Sequence, residues 1–204
     1  MRRTKEQAAE TRQEILRAAE TLFLQKGYSA VSLEEVAAAA GVTRGAVHWH
    51  FVNKQGLLFA IRDEMQLPMR DLAEQLSLDR ACAPLDALGD VITGTFTRLQ
   101  ADPRQRALLK VLHQLDFAAS DDETDDGTIF RQQLQASLFK IFDVIDRKGE
   151  LPAPWTSQSA ALALSVVLNG LVNEWVRGKA DFELIPDASA IVQTLLDAWR
   201  VPAR

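Results

Sequence analysis

"SLEEVAAAAGVTRGAVHWHFVNK", residues 32–54, holds the signals from which the rest of the chain can be read. Ser32 with Glu35 forms a capping box opening a short helix, and Leu33, Val36, Ala37 and Ala40 follow i, i+3, i+4, i+7 along one face. Gly41 stops it, because glycine reaches the positive φ that a tight turn requires. Thr43 can cap a second short helix of about two turns, through His50. Small Ala37 and Ala38 let the two helices approach closely. This is the layout of a helix-turn-helix, although two short helices packed for purely structural reasons give the same pattern.

The helical period continues on both sides, and no strand alternation is evident. Upstream, Thr4 with Gln7 resembles another capping box, and Ile15, Ala18, Ala19, Leu22 and Phe23 make one face of a helix ending near Gly27. Downstream, Asn53 caps a fourth helix carrying Leu57, Leu58, Ile61 and Met65, expected to run to about Leu76. The remainder reads as five longer helices, over roughly 84–100, 103–117, 128–148 and 157–178, with the last after Pro186. The fold class expected is all-α, with a compact helix-turn-helix head and a larger helical body.

Composition narrows the function classes. The 204 residues include one cysteine, Cys82, which excludes an internal disulfide framework and suits a reducing cytoplasm. The basic start, "MRRTKEQAAETRQ", leads into charged helix-forming sequence without the apolar stretch of a signal peptide. The apolar run 160–172 is read as too short for a membrane span and is broken by Ser165, Asn169 and Gly170, so no membrane partner is expected. Residues 1–62 hold nine Lys/Arg and six Asp/Glu, a net +3, whereas the remainder carries −8 of the total of −5. A basic head on an acidic body permits localised phosphate contact but disfavours non-specific polyanion binding by the body.

Metal and catalytic readings fare poorly. His48 and His50 stand at i, i+2 and point to nearly opposite sides of a helix, so they cannot chelate one ion together. The acidic run 120–127 lacks the alternating ligands of a calcium loop and reads as a solvated loop. No nucleophile–base pair, phosphate-cradling glycine loop or metal cluster is present, so neither enzyme activity nor a cofactor or metal is expected. A helical scaffold binding only protein is disfavoured by Arg44 and Lys54. In the second short helix, Ala46 and Val47 would anchor the packed side and leave Arg44, Gly45 and His48 outward near its N-terminus, the end such helices present to base edges. Arg44 can bond two guanine acceptors or a phosphate, and Lys54 is read as a phosphate contact. Trp49 and Phe51 are expected as anchors beneath the helix.

The segment "TRQEILRAAETLFLQKGYSAVSLEEVAAAAGVTRGAVHWHFVNKQGLLFAI" resembles the DNA-binding region of the TetR family of bacterial transcriptional repressors, over about residues 10–62. The likeness rests on Ile15-Leu16, Ala18-Ala19, Phe23, Gly27-Tyr28, Ser32, Ala37, Gly41-Val42, Gly45, Trp49-His50-Phe51 and Asn53-Lys54. "RRTKEQAAETR" with "GVTRGAVHWHF" looks most like the branch that represses multidrug efflux pumps; a regulator of a lipid or catabolic operon is the alternative. By that resemblance Thr43, Arg44, Gly45, His48, Trp49, His50 and Lys54 stand at positions contacting double-stranded operator DNA. Tyr is usual in the family where this chain has His48, which could make that contact shorter or pH-dependent.

The resemblance implies a helix-turn-helix DNA-binding domain over 1–55, a connecting helix over 56–80, and an effector-binding and dimerisation domain over 81–204. In the last two helices Leu164, Leu168, Leu171 and Trp175 share one face, and Leu195, Leu196 and Trp199 share another. These stripes suit either an intramolecular core or a two-fold interface, and the homodimer implied by the resemblance favours the interface. For a small apolar or aromatic effector, Phe96, Leu109, His113, Phe130, Leu134, Ser165 and Asn169 offer apolar walls with a few polar groups. The expectation is a ligand-responsive, cytoplasmic DNA-binding repressor.

Overall fold

The computed structural model describes residues 5–65, 67–78, 83–118, 126–178 and 181–200, with the side chains at 62, 65, 112–118 and 126–131 outside that description. Regular structure among the described residues is helical throughout: α1 (Lys5–Lys26), α2 (Leu33–Ala39), α3 (Arg44–His50), α4 (Lys54–Met65), α5 (Leu67–Ser77), α6 (Pro84–Ala101), α7 (Pro103–Ala118), α8 (Asp126–Arg147), α9 (Ser157–Arg177) and α10 (Ser189–Ala198), the last entered through a kinked segment, Leu184–Ala188, in which Ile185 is extended. The all-α expectation holds. Two compact units form, one from Met1–Met65 with Ala107–Ala118, the other from Gln66–Arg106 with Ala119–Arg204.

The first unit is built by its caps. Ser32 Oγ accepts from the Glu35 N–H at 3.2 Å while Glu35 Oε2 accepts from the Ser32 N–H at 2.9 Å, closing the capping box of α2. Gly41 takes φ 67° in the turn, and Thr43 Oγ1 accepts from the Ala46 N–H at 3.1 Å to start α3. Asn53 Oδ1 accepts from the Gly56 N–H at 2.7 Å to start α4. Residue Thr4, expected to cap α1, lies outside the described residues. Ile15, Leu16, Ala19 and Phe23 of α1 meet Val36 and Ala37 of α2, Val47 of α3, and Leu57, Leu58 and Ile61 of α4 in one buried cluster, joined by Phe51 and by Leu108 of α7. Each of the larger side chains among them contributes roughly 1.5–3 kcal/mol on burial.

Helix is described over Lys54–Met65 (α4) and Leu67–Ser77 (α5), within the span expected for the fourth helix, and residue 66 between them lies outside the described residues. By compactness, residues 56–65 group with the first unit and residues 66–106 with the second.

In the second unit α8 packs along α9 and α5, and α6 lies against α5 and α10. Leu138, Ile141, Phe142 and Ile145 of α8 are fully buried, as are Leu164 of α9 and Leu196 of α10. Here the sequence-based interface must be corrected. Leu164, Leu168, Trp175 and Trp199 are buried inside this unit, not presented to a partner. Trp199 meets Phe142 edge-on at 4.8 Å and Trp155 at 5.4 Å. Trp175 stacks under the Arg106 guanidinium at 4.3 Å, and its Nε1 donates to Glu183 at 3.3 Å. The Gln100 carboxamide fixes the entry to α10 by donating to the Ile185 carbonyl at 3.1 Å and accepting from the Ile185 N–H at 2.8 Å. At 21 residues, α9 is long and apolar enough by length and composition to cross a bilayer, contrary to the reading of run 160–172 alone. Its inward stripe is packed as that of a core helix.

Candidate functional site

Helix α3 offers the first unit's most distinctive surface. Val47 is its buried anchor, and Phe51, one turn on, is buried beside it. Trp49, expected as a second anchor, is instead 73% exposed, because a step of two residues from Val47 turns it to the opposite side. The Trp49 ring meets His50 edge-on at 4.5 Å, and neighbouring Val52 is also exposed. Arg44, Gly45 and His48 are exposed as expected. A Cβ added to Gly45 would meet only Thr43 Oγ1, at 3.8 Å. Packing therefore does not require glycine there, and the open backbone is available to an approaching ligand. The Thr43 oxygen serves the helix cap and keeps its own O–H to donate.

Arg44 is already engaged. Its Nη1 pairs with Glu34 Oε1 of α2 at 2.7 Å, and its Nε donates to His48 Nε2 at 3.4 Å, which requires a lone pair on that nitrogen. Glu34 went unremarked in the sequence because no helical spacing links it to Arg44; the turn brings them together.

The phosphate role expected for Lys54 does not match its geometry. Its ammonium donates to the carbonyls of Tyr28 at 2.8 Å, Val31 at 2.9 Å and Ser29 at 3.3 Å, and sits 4.5 Å from the centre of the Tyr28 ring. Three protons are thus shared among three carbonyls of the α1–α2 loop. Burial pushes the Tyr28 phenol above its ordinary pKa.

The outward faces of α9 and α10 carry Leu162, Val166 and Ile191, 49%, 61% and 50% exposed. Leu171 and Leu195, expected at an interface, are half-buried. Of the residues suggested for an effector, Phe96 and Ser165 are buried in the second unit, and Leu134 and Asn169 are half-buried there. Ser165 Oγ donates to the Leu162 carbonyl of its own helix at 2.9 Å. Leu109 packs against the core of the first unit and leaves the set. The side chains of His113 and Phe130, and residues 120–125 of the acidic run, lie outside the described residues.

Residues 15–61 match the bacterial regulatory protein family tetR, and residues 83–201 match the MAATS-type transcriptional repressor C-terminal region. The chain is 33% identical to the HTH-type transcriptional repressor BepR of Brucella suis over 208 residues, covering 100% of this chain and 98% of BepR. The crystal structure of NalD, the secondary repressor of the MexAB-OprM multidrug efflux pump in Pseudomonas aeruginosa, is 32% identical, with a TM-score of 0.67 and coverage of 98% of this chain and 100% of NalD. A complex of SmeT with triclosan is 26% identical, with a TM-score of 0.78 and coverage of 95% and 93%; SmeT is the repressor of the multidrug efflux pump SmeDEF of Stenotrophomonas maltophilia. The exposed α3 and these likenesses over nearly the whole chain converge: the chain belongs to the TetR family of bacterial regulatory proteins and is a DNA-binding transcriptional repressor.

Proposed function

We propose that this repressor controls a multidrug efflux operon in the cytoplasm, binding its operator as a symmetric homodimer and leaving it when a small apolar or aromatic compound binds. The observation that carries this reading is the solvent-facing row Arg44, Gly45, His48 and Trp49 on α3, in a chain similar along its length to NalD and SmeT, whose structures are those of efflux-pump repressors. In this reading Arg44 reads a base pair, His48 and His50 approach phosphates, Trp49 lies against the sugar–phosphate edge, and the Thr43 hydroxyl donates to a phosphate. Leu162, Val166 and Ile191, with Leu171 and Leu195 at the margin, form the protomer face. Phe96, Leu134, Ser165 and Asn169, all of the second unit, contribute to the effector site.

The test is fluorescence anisotropy with labelled DNA from upstream of the protein's own gene, titrated with triclosan and a panel of planar aromatic antimicrobials. Saturable binding to that DNA, and release by members of the panel, supports the reading. If no aromatic compound releases the complex while a fatty acyl compound does, the efflux assignment fails and only the general repressor remains.

A further inference from the structure

Glu34 places a carboxylate at the edge of the surface that α3 presents to DNA, where the phosphates of a duplex would oppose it at one charge per about 1.7 Å of axis. The fold has little need of it there. The Glu34–Arg44 pair is largely exposed, at 54% and 65% for the two side chains, and pairs of that kind add little to folding. The packing of α2 on α3 rests instead on Val36, Ala37 and Val47. Two edges of the Arg44 guanidinium are thus occupied, Nη1 by the Glu34 carboxylate at 2.7 Å and Nε by His48 Nε2 at 3.4 Å.

From this geometry we propose that Glu34 is a specificity-determining residue, holding Arg44 so that only a base pair returning both contacts releases it. A guanine offers O6 and N7 side by side, two acceptors for the two given up. A duplex in a random register offers Arg44 only a phosphate at imperfect distance, so the loss of the Glu34 contact, common to both complexes, is offset on operator and not on non-specific DNA. The pair therefore penalises non-specific DNA more than operator, which is discrimination by a built-in repulsive element. The inference rests on the reading of α3 as the recognition helix.

The experiment measures operator and scrambled-duplex affinities at two salt concentrations for the full-length wild type, Glu34→Gln, Arg44→Ala and the double variant. Glu34→Gln is expected to tighten the scrambled duplex about threefold, the scale of an exposed ion pair, with a smaller change on operator. In the Arg44→Ala background the same substitution should leave the operator-to-scrambled ratio unchanged. The proposal is overturned if Glu34→Gln leaves the ratio unaltered, lowers it by weakening operator binding alone, or shifts it equally without Arg44. Glu34→Ala provides a second variant of the same sign, and circular dichroism checks that each stays folded. If Arg44→Ala itself leaves operator affinity and ratio untouched, the failure lies with the assignment of α3, a result separable from the others.

Discussion

Three carbonyl oxygens between α1 and α2 converge on the Lys54 ammonium, and removing it takes a charged donor from all three, leaving the Tyr28 carbonyl with the Val31 N–H at 3.3 Å. Hydrogen bonds to a charged group are worth roughly 1.5–3 kcal/mol together with their desolvation consequences. Lys54→Met is therefore expected to lower the melting temperature by several degrees while leaving the salt slope of operator binding unchanged. A slope reduced by about one per subunit, with stability intact, would restore the phosphate role. Glu35 makes a pH prediction of its own. The Lys26 ammonium first, and the Ser32 amide and hydroxyl after it, hold its carboxyl down to about 2, well below the ordinary carboxylate range. A depressed carboxylate stabilises the fold above its unfolded pKa, and that contribution disappears as pH falls toward the folded value. Glu35→Gln should accordingly melt lower than wild type above about pH 4.5 and converge with it near pH 2, in thermal scans across that window. Thr43, Ser32 and Asn53 were legible in the sequence because a cap is a local device. Lys54 was not, since its acceptors lie 23 to 26 residues away.

At the scale of elements, α9 shows why periodicity alone cannot orient a helix. Leu164 and Leu168 make one apolar stripe and Leu162 with Val166 another on the opposite side, so both satisfy the same spacing. Only the packing of α8 and α10 decides which faces inward. The two stripes predict opposite phenotypes. Val166→Asp should dissociate the dimer in analytical ultracentrifugation and weaken operator binding, with the helical melt of the protomer nearly unchanged. Leu164→Ala should cost about 2–5 kcal/mol through the cavity it leaves, without altering the oligomeric state of the folded fraction. A Val166→Asp variant that remained dimeric at micromolar concentration would place the protomer face elsewhere.

For the whole molecule, the division into a DNA-reading head and a helical body was legible because charge, caps and motif spacing change together near residue 62. The effector site was less so, because a residue lining a pocket and one filling a core share the same period and chemistry; Leu109 and Phe96 look alike in sequence yet belong to different units. Release must obey reciprocity. A compound that weakens operator binding tenfold, about 1.4 kcal/mol of coupling, must itself bind tenfold more weakly to the operator-bound dimer. Calorimetric titration of triclosan with and without saturating operator checks this; equal affinities in the two titrations would exclude coupled release by that compound. Finally, the indoles are unevenly placed. Of the four tryptophans, Trp175 and Trp199 are nearly or fully sequestered in the second unit and Trp155 is half-buried against Trp199, whereas Trp49 stands 73% exposed on α3. The protein thus carries an intrinsic optical label. Acrylamide should quench Trp49 emission selectively in the free dimer, and added operator should shield it, so that docking of α3 can be followed by ultraviolet fluorescence without any attached dye.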